Sequence, residues 1–123
     1  MVATSSQRKA TGDYGETRAA RHLTEDHGMV VLDRNWRCEL GELDLVLRDG
    51  VVLVFCEVKT RRDDSFGSPL EAVTEQKVAR IRRLAARWLH EHDVRVEHVR
   101  IDLVGIRLDQ PGLAGLDHVR GVG

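Results

Sequence analysis

The sequence has little of several features that would place a protein in a class at once. Its 123 residues include two cysteines and two prolines, and 19 Lys and Arg nearly balance 20 Asp and Glu. Two cysteines make no disulfide framework, which favours a reducing, cytoplasmic location. A net charge of −1 gives no positive field over the whole molecule, so a nucleic-acid site would have to be a local patch. The longest apolar run, residues 51–56, is too short for a secretion signal or a membrane span, and we expect no membrane partner.

The length and the composition predict one globular domain with a single core. A chain of 123 residues leaves little room for a second core, and 41% hydrophobic residues are ordinary for a globular protein. Collagen-like, disordered and low-complexity classes are therefore excluded. We expect a flexible N-terminus over residues 1–11, a folded domain over residues 12–108 and a glycine-rich, partly ordered tail over residues 109–123.

The first half of the chain predicts one helix followed by three strands. Asp13 and Glu16 have the spacing of a capping box, which opens a helix, and Gly28 provides a left-handed cap at its end. The clearest signal is a hairpin with a tight turn at residues 49 and 50. The predicted strands lie near residues 29–32, 43–47 and 51–58, and residues 35–38 continue the first of them as a weaker extended segment. The leucines at 43, 45 and 47 are expected to share one face of a central strand.

The second half of the chain predicts a helix and a final strand. Ser68 and Pro69 start a short turn, and Thr74 caps a main helix over residues 75–91 whose apolar side chains recur at helical spacing. A strand or a strand pair follows over residues 94–106. The order α-β-β-β-α-β predicts an α/β fold in which a mixed central sheet is flanked by helices.

Two acids and one amine are expected to converge on the hairpin. With a two-residue turn at positions 49 and 50, Asp44 faces Phe55 and becomes a diagonal neighbour of Glu57, about 7–8 Å away at the backbone. Lys59 points to the same face as Glu57. Paired carboxylates suit Mg²⁺ or Mn²⁺, which also bind phosphate oxygens. We therefore predict metal-assisted phosphodiester hydrolysis, in which Asp44 and Glu57 hold the ion and Lys59 orients the nucleophile or stabilises the developing charge.

Several acidic residues leave alternatives open. Asp44 and Lys59 could instead form an ion pair at a strand end, with Glu57 merely solvated. Glu42 is either a spare acid on the same face or an exposed edge charge. Asp102, inside the last strand, could support the site or pair with an arginine.

Positive charge is concentrated on the second predicted helix and on the loop before it. The residues are Lys77, Arg80, Arg82, Arg83 and Arg87, with Arg61 and Arg62 ahead of them. Such a face either grips a phosphate backbone without reading sequence or is simply a solvated helix face. The candidate nucleic-acid contacts are Arg61, Lys77, Arg80, Arg37 and Trp36. The six histidines show no metal-ligand spacing that predicts a site.

Two segments carry a family resemblance. GELD at residues 41–44 and FCEVKTR at residues 55–61 resemble the D…ExK nuclease signature. The chain is similar to the YraN-type family of small bacterial proteins, with further matching residues at 15–16, 35–37, 72–73, 77 and 116–119. That family is similar in fold to restriction endonucleases and Holliday-junction resolvases.

The resemblance implies a function and a set of roles. It implies a restriction-endonuclease-like domain that binds DNA and cleaves it as a structure-directed, Mg²⁺- or Mn²⁺-dependent endonuclease in repair or recombination. Asp44 and Glu57 would be metal ligands and Lys59 the catalytic lysine. Glu16 matches an acid that resolvase-like nucleases bring from the first helix, although it could serve only as the helix-start residue. A resolvase-like role predicts a symmetric homodimer.

The sequence also departs from the nuclease pattern. The proline of the signature is missing, since Leu43 stands before Asp44. Related exonuclease-like proteins carry Gln-x-x-x-Tyr on the following helix, whereas Gln76 is followed here by Arg80, which disfavours that activity. Two alternatives to an enzyme are a non-catalytic nucleic-acid-binding module that keeps the nuclease fold and an adaptor in DNA uptake or repair.

Overall fold

The chain folds around one five-stranded sheet. The computed structural model describes residues 5–63, 65 and 67–122. In chain order the elements are α1 (Ser5–Arg21), continued by a π-helical turn (His22–Asp26), β1 (Val30–Cys38), β2 (Gly41–Asp49), β3 (Val52–Arg61), a 3₁₀ turn (Pro69–Ala72), α2 (Glu75–Glu91), β4 (His98–Arg107), a second 3₁₀ turn (Gly112–Gly115) and β5 (Leu116–Val119).

The sheet is mixed and has the strand order β1-β2-β3-β4-β5. Strands β3 and β4 pair in parallel, and the other neighbours pair antiparallel. The predicted α/β fold with a mixed sheet and flanking helices is confirmed, and β5 extends it at one edge. Among the described residues, no helix is both long and apolar enough to cross a membrane.

Both faces of the sheet are buried, which explains the continuous apolar character of β3. One cluster, which we call the α1-side core, joins Ala19 and Leu23 to Val54. The other, the α2-side core, packs Leu84 and Trp88 against the opposite face. The predicted helix over residues 75–91 is confirmed at both ends, and Thr74 caps it by accepting a hydrogen bond from the backbone N–H of Lys77.

Helix α1 begins earlier than predicted. It starts at Ser5, so Asp13 lies inside the helix instead of capping it, and residues 1–4 fall outside the described part of the chain. The first turns of α1 are polar, so they offer no apolar period to read. At its other end the predicted left-handed glycine is confirmed, since Gly28 has φ 68°. The predicted tail contains β5, which is too short for a sequence period.

The hairpin register differs from the prediction. The turn residues are Gly50 and Val51, and Asp49 pairs with Val52. The predicted pairing of Arg48 with Val51 is therefore wrong by two residues. A shift of two keeps each paired side chain on its face, and the printed register ends before it reaches Asp44, at the pair Leu45 and Cys56.

Strand β2 loses its regular alternation at Asp44. Leu45 and Leu47 join the α1-side core, whereas Leu43 joins the α2-side core, so the prediction that all three share a face is wrong. The ladder between β2 and β3 ends at the pair Leu45 and Cys56. Beyond it the two strands separate, and an acidic side chain occupies the opening.

Candidate metal centre

Asp44 lies where β2 and β3 separate. Its Oδ2 accepts a hydrogen bond of 2.8 Å from the backbone N–H of Val58, so the side chain takes the place of a ladder acceptor. Burial, followed by the charge of Glu57, raises the pKa of Asp44 to about 8. The Val58 N–H acts in the opposite direction, and Asp44 also shares a hydrogen bond with Glu57. Asp44 is thus a buried carboxyl group with a strong tendency to keep a proton or to take up another positive charge.

Glu16 reaches the same place from α1. The preceding residue, Gly15, packs so closely on β3 that an added Cβ would overlap Thr60 Oγ1 and lie 3.0 Å from Thr60 Cβ. This close approach buries Glu16, whose carboxylate is hydrogen-bonded by Asn35. Its Oε2 is buried without a hydrogen-bond partner among the described residues. Burial and the charge of Glu42 raise the pKa of Glu16.

Glu42 completes a group of three acids that we call the carboxylate trio, namely Glu16, Glu42 and Asp44. Each acid offers one carboxylate oxygen, and these three oxygens lie within 4.8 Å of one another. Ligands of an octahedral Mg²⁺ stand about 2.9 Å apart when they are neighbours and about 4.2 Å apart when they are opposite, so the side chains would have to draw the three oxygens together around one ion. Of the two alternatives for Glu42, the structure supports the spare acid, because Glu42 is half-buried within the trio.

Glu57 and Lys59 stand beside the trio and pair with each other. Lys59 Nζ lies 3.3 Å from Glu57 Oε1. The alternative in which Lys59 pairs with Asp44 therefore names the wrong partner for the amine. Glu57 contacts Asp44, so the structure brings the expected acid pair together. Glu57 is not one of the three acids whose oxygens cluster, because Glu16 and Glu42 are the acids that join Asp44 there.

A cavity of about 540 Å³ opens next to the trio. Glu16 and Glu42 line it together with Lys9, Arg34 and Arg37. Arg37 Nε also holds Glu42 at 2.7 Å. Of these three cations only Arg37 was predicted as a contact. A β-bulge between Val31 and Asp33 shifts the side chains that follow it in β1. The apolar pattern of the sequence does not show this shift, so it could not indicate that Arg34 lines the cavity.

The other predicted nucleic-acid contacts are dispersed around this region. Arg80 lies beside the start of β2, since its Cδ would be 3.9 Å from a Cβ on Gly41. Arg61 is exposed at the end of β3, and Lys77 is half-buried in the first turn of α2. Trp36 is half-buried and leans on the α2-side core.

Asp102 does not belong to the trio. Arg100 Nε donates to it at 2.8 Å, so the alternative in which it pairs with an arginine is confirmed. Burial raises its pKa, but hydrogen bonds from His118 and Arg100 and from the backbone N–H of Gly121 outweigh that effect and hold the pKa of Asp102 at about 2. Asp102 is therefore a stable anion in the fold.

The sheet, its flanking helices and the acids at the opening between β2 and β3 define a restriction-endonuclease-like α/β core. The chain belongs to the family described as "Uncharacterised protein family UPF0102", whose model matches residues 15–106. This result confirms the YraN-type resemblance.

Relatives in this family cover nearly the whole chain. A UPF0102 protein of Nocardioides sp. is 60% identical over 121 residues, which cover 98% of this chain and 97% of the relative. One from Beutenbergia cavernae is 58% identical over 114 residues, or 93% of this chain and 96% of the relative. One from Acidothermus cellulolyticus is 49% identical over 131 aligned positions, with 98% of both chains covered.

Proposed function

We propose that this protein binds DNA and hydrolyses its phosphodiester bonds as a structure-directed endonuclease that requires Mg²⁺ or Mn²⁺. The observation that carries the proposal is the carboxylate trio, in which Glu16 Oε2 is buried with no hydrogen-bond partner among the described residues. Burying several acids together is costly unless a cation compensates their charge. Oxygen ligands of this kind favour Mg²⁺ or Mn²⁺ over softer metals.

The residues present fit such an ion. Glu16, Glu42 and Asp44 would hold it, with Glu57 adjacent to Asp44. The pKa of Asp44 is raised chiefly by burial and by neighbouring acids, and a divalent cation would supply the missing positive charge. When bound, Mg²⁺ polarises a phosphoryl oxygen and lowers the pKa of a bound water.

The remaining residues position the reactants. Lys59 is held by Glu57 at 3.3 Å, which places an ammonium group beside the acids, where charge would develop on the phosphate. From there it orients the attacking water or stabilises the developing negative charge. Glu57 acts on the reaction by fixing the Lys59 amine. Lys9, Arg34 and Arg37 around the cavity provide cations for a phosphate backbone.

A cleavage panel tests this function. Duplex, single-stranded, flap and four-way-junction DNA would be incubated with Mg²⁺ or Mn²⁺ and the wild type, Asp44→Asn, Lys59→Met or Glu97→Gln. Glu97 is an exposed acid outside the trio and serves as the matched control. We expect cleavage by the wild type and by Glu97→Gln, and at least a 100-fold loss in Asp44→Asn and Lys59→Met.

Two results would overturn the enzyme proposal. Cleavage that survives Asp44→Asn would mean that another protein in the preparation cuts the DNA. Salt-sensitive DNA binding with no cleavage of any substrate would instead establish a non-catalytic binding module. If the four-way junction is the preferred substrate, the two strands must be cut at related positions, and we then expect a homodimer on the DNA, which light scattering of the complex would detect.

A further inference from the structure

Three histidines meet at the end of α1 and the edge of the sheet, in a group that we call the histidine cluster: His22, His27 and His118. Each histidine offers one ring nitrogen, and these three nitrogens lie within 4.8 Å of one another. His22 Nε2 and His27 Nε2 are 3.1 Å apart. The ring centroids are 4.7 to 5.6 Å apart, and all three pairs meet edge to face.

The π-helical turn brings the first two rings together. His22 begins that turn and His27 follows its last residue, five positions later. A π-helix bonds residue i to residue i+5, so it aligns side chains that an α-helix would place apart. Such turns are rare and are found frequently at functional sites. An ordinary helical period could not have indicated this pair, and His118 arrives from β5, almost a hundred residues away.

Two carboxylates stand behind the rings. His22 Nδ1 lies 2.8 Å from Asp26 Oδ2, and His118 Nε2 lies 2.9 Å from Asp102 Oδ2. Asp102 is fully buried and is itself held by Arg100. Histidines that ligate metals nearly always give their second ring nitrogen to such a partner, which fixes the tautomer and the orientation of the ring. The pairing with Asp26 leaves His22 Nε2 facing His27.

We propose that the histidine cluster binds a Zn²⁺-class transition-metal ion through its three imidazoles, at a site separate from the carboxylate trio. Imidazole nitrogens at about 2.0–2.1 Å from a tetrahedral metal stand about 3.3 Å apart, close to the 3.1 Å between His22 and His27. Three nitrogen donors favour Zn²⁺ over Mg²⁺, and a water would fill the fourth position.

The outermost ring of the cluster, that of His27, is available to bind a ligand. His27 is exposed, so it contributes little to the core. Without a metal the 3.1 Å contact is an N–H···N hydrogen bond between two rings, and an ion would replace the bridging proton. Asp26 and Asp102 would offset its charge.

A bound ion would join two distant parts of the chain. His22 and His27 close the first helical segment, and His118 lies on β5, a four-residue strand at the edge of the sheet. A ligand that binds only the folded state raises stability by mass action. The ion would thus fasten the short edge strand to the helix that carries Glu16.

The test uses the full-length, tag-free protein freed of metals with a chelator. Zn²⁺ alone is titrated by calorimetry, and Co²⁺ alone by visible absorption, which reports tetrahedral coordination. His27→Ala is the main variant, because removal of an exposed ring should leave the fold intact. His90→Ala is the control, since His90 is an exposed histidine on α2 outside the cluster. His118→Ala is avoided because it would strip a partner from buried Asp102.

We expect one Zn²⁺ per chain in the wild type and in His90→Ala, an at least tenfold weaker affinity in His27→Ala, and tetrahedral Co²⁺ bands that this variant loses. Zn²⁺ should raise the melting temperature of the wild type but not that of His27→Ala. Asp26→Asn, which alters a positioning residue, should weaken binding with less loss than His27→Ala. Equal Zn²⁺ affinity in the wild type and His27→Ala, or no stoichiometric binding, would overturn the proposal.

Discussion

At the scale of single residues, the central feature of the protein is the buried carboxyl group of Asp44. This carboxyl group is buried, receives one backbone hydrogen bond from Val58 and faces Glu57 and the rest of the carboxylate trio. A charge in that position is disfavoured by desolvation and by its neighbours, and these effects raise its pKa to about 8. An ionised Asp44 therefore destabilises the fold, and a bound proton or cation relieves that destabilisation.

The raised pKa of Asp44 predicts a pH-dependent contribution to stability, which Asp44→Asn removes. Because the folded-state pKa lies above the unfolded value of about 3.9, the contribution of Asp44 to stability is fully present below pH 4 and is lost as the pH rises through 8. Asn cannot ionise and can still accept the bond from Val58. In a chelator we expect Asp44→Asn to exceed the wild type at pH 9 by about 1–2 kcal/mol in free energy of unfolding.

Urea unfolding at pH 5, 7 and 9 measures this difference. The control is Glu97→Gln, which removes an exposed acid and should keep the wild-type pH profile. A wild type that gains stability between pH 5 and 9 relative to Asp44→Asn would show that the carboxyl group is not held as the structure places it.

At the scale of elements, the contact between α1 and β3 decides where Glu16 lies. Gly15 has no side chain, so the helix can approach Thr60 closely enough to bury the next residue beside the sheet. Gly12, one turn earlier in α1, has no described atom within 4 Å of the place where a Cβ would be, apart from the local backbone of its own helix. The two glycines share a helix but differ in what a methyl group would meet.

A matched pair of substitutions tests this contact. We expect Gly12→Ala to raise stability by about 0.5–1 kcal/mol, because alanine costs less backbone entropy in a helix. Gly15→Ala should lower stability by about 1–3 kcal/mol through overpacking against Thr60, and it should weaken metal binding by displacing Glu16. Thermal and urea unfolding measure both variants. Partial rescue of Gly15→Ala by Thr60→Ala is expected, and equal effects at positions 12 and 15 would contradict the close contact.

The elements also show how far the sequence predicts the fold. Helix α2 was predictable because a cap at Thr74 and a regular apolar stripe agree. Asp44, Glu57 and Lys59 were found from acids placed on apolar strands, which the structure places together. The hairpin register was missed, since the sequence does not show whether residue 49 or residue 51 belongs to the turn.

What could not be predicted comes from irregular backbone. The break in alternation at Asp44, the bulge in β1 and the π-helical turn each change which side chains are neighbours, and none has an apolar period. Glu42 therefore stayed an open alternative, and the histidine cluster was dismissed. Long-range packing made these groups, since α1 and β5 supply Glu16 and His118 from distant parts of the chain.

At the scale of the whole molecule, charge is balanced, so the proposed DNA-binding surface has to be local. With 19 basic and 20 acidic residues, no overall field attracts nucleic acid. Lys9, Arg34 and Arg37 line the cavity beside the trio, together with the acids Asp13, Glu16 and Glu42. DNA affinity should therefore depend on a few cations and should fall steeply with salt.

Salt titrations of DNA binding test this local surface. We expect Arg34→Ala to weaken binding and to reduce the slope of log affinity against log salt by about 1. Arg95→Ala, which removes an exposed cation that does not line the cavity, is the control and should change neither quantity. Measurements in Ca²⁺ with a fluorescent duplex would avoid cleavage. Equal slopes for the wild type and Arg34→Ala would place the DNA elsewhere.

The most direct measurement is the titration of Mn²⁺ into the metal-free protein, compared among the wild type, Asp44→Asn and Glu97→Gln. If the carboxylate trio is a divalent-metal centre, the wild type and Glu97→Gln bind Mn²⁺ with the same affinity, and Asp44→Asn binds at least tenfold more weakly although it remains folded. The same Mn²⁺ affinity in all three proteins, or no binding to the folded wild type, would contradict the assignment of the trio as a metal centre.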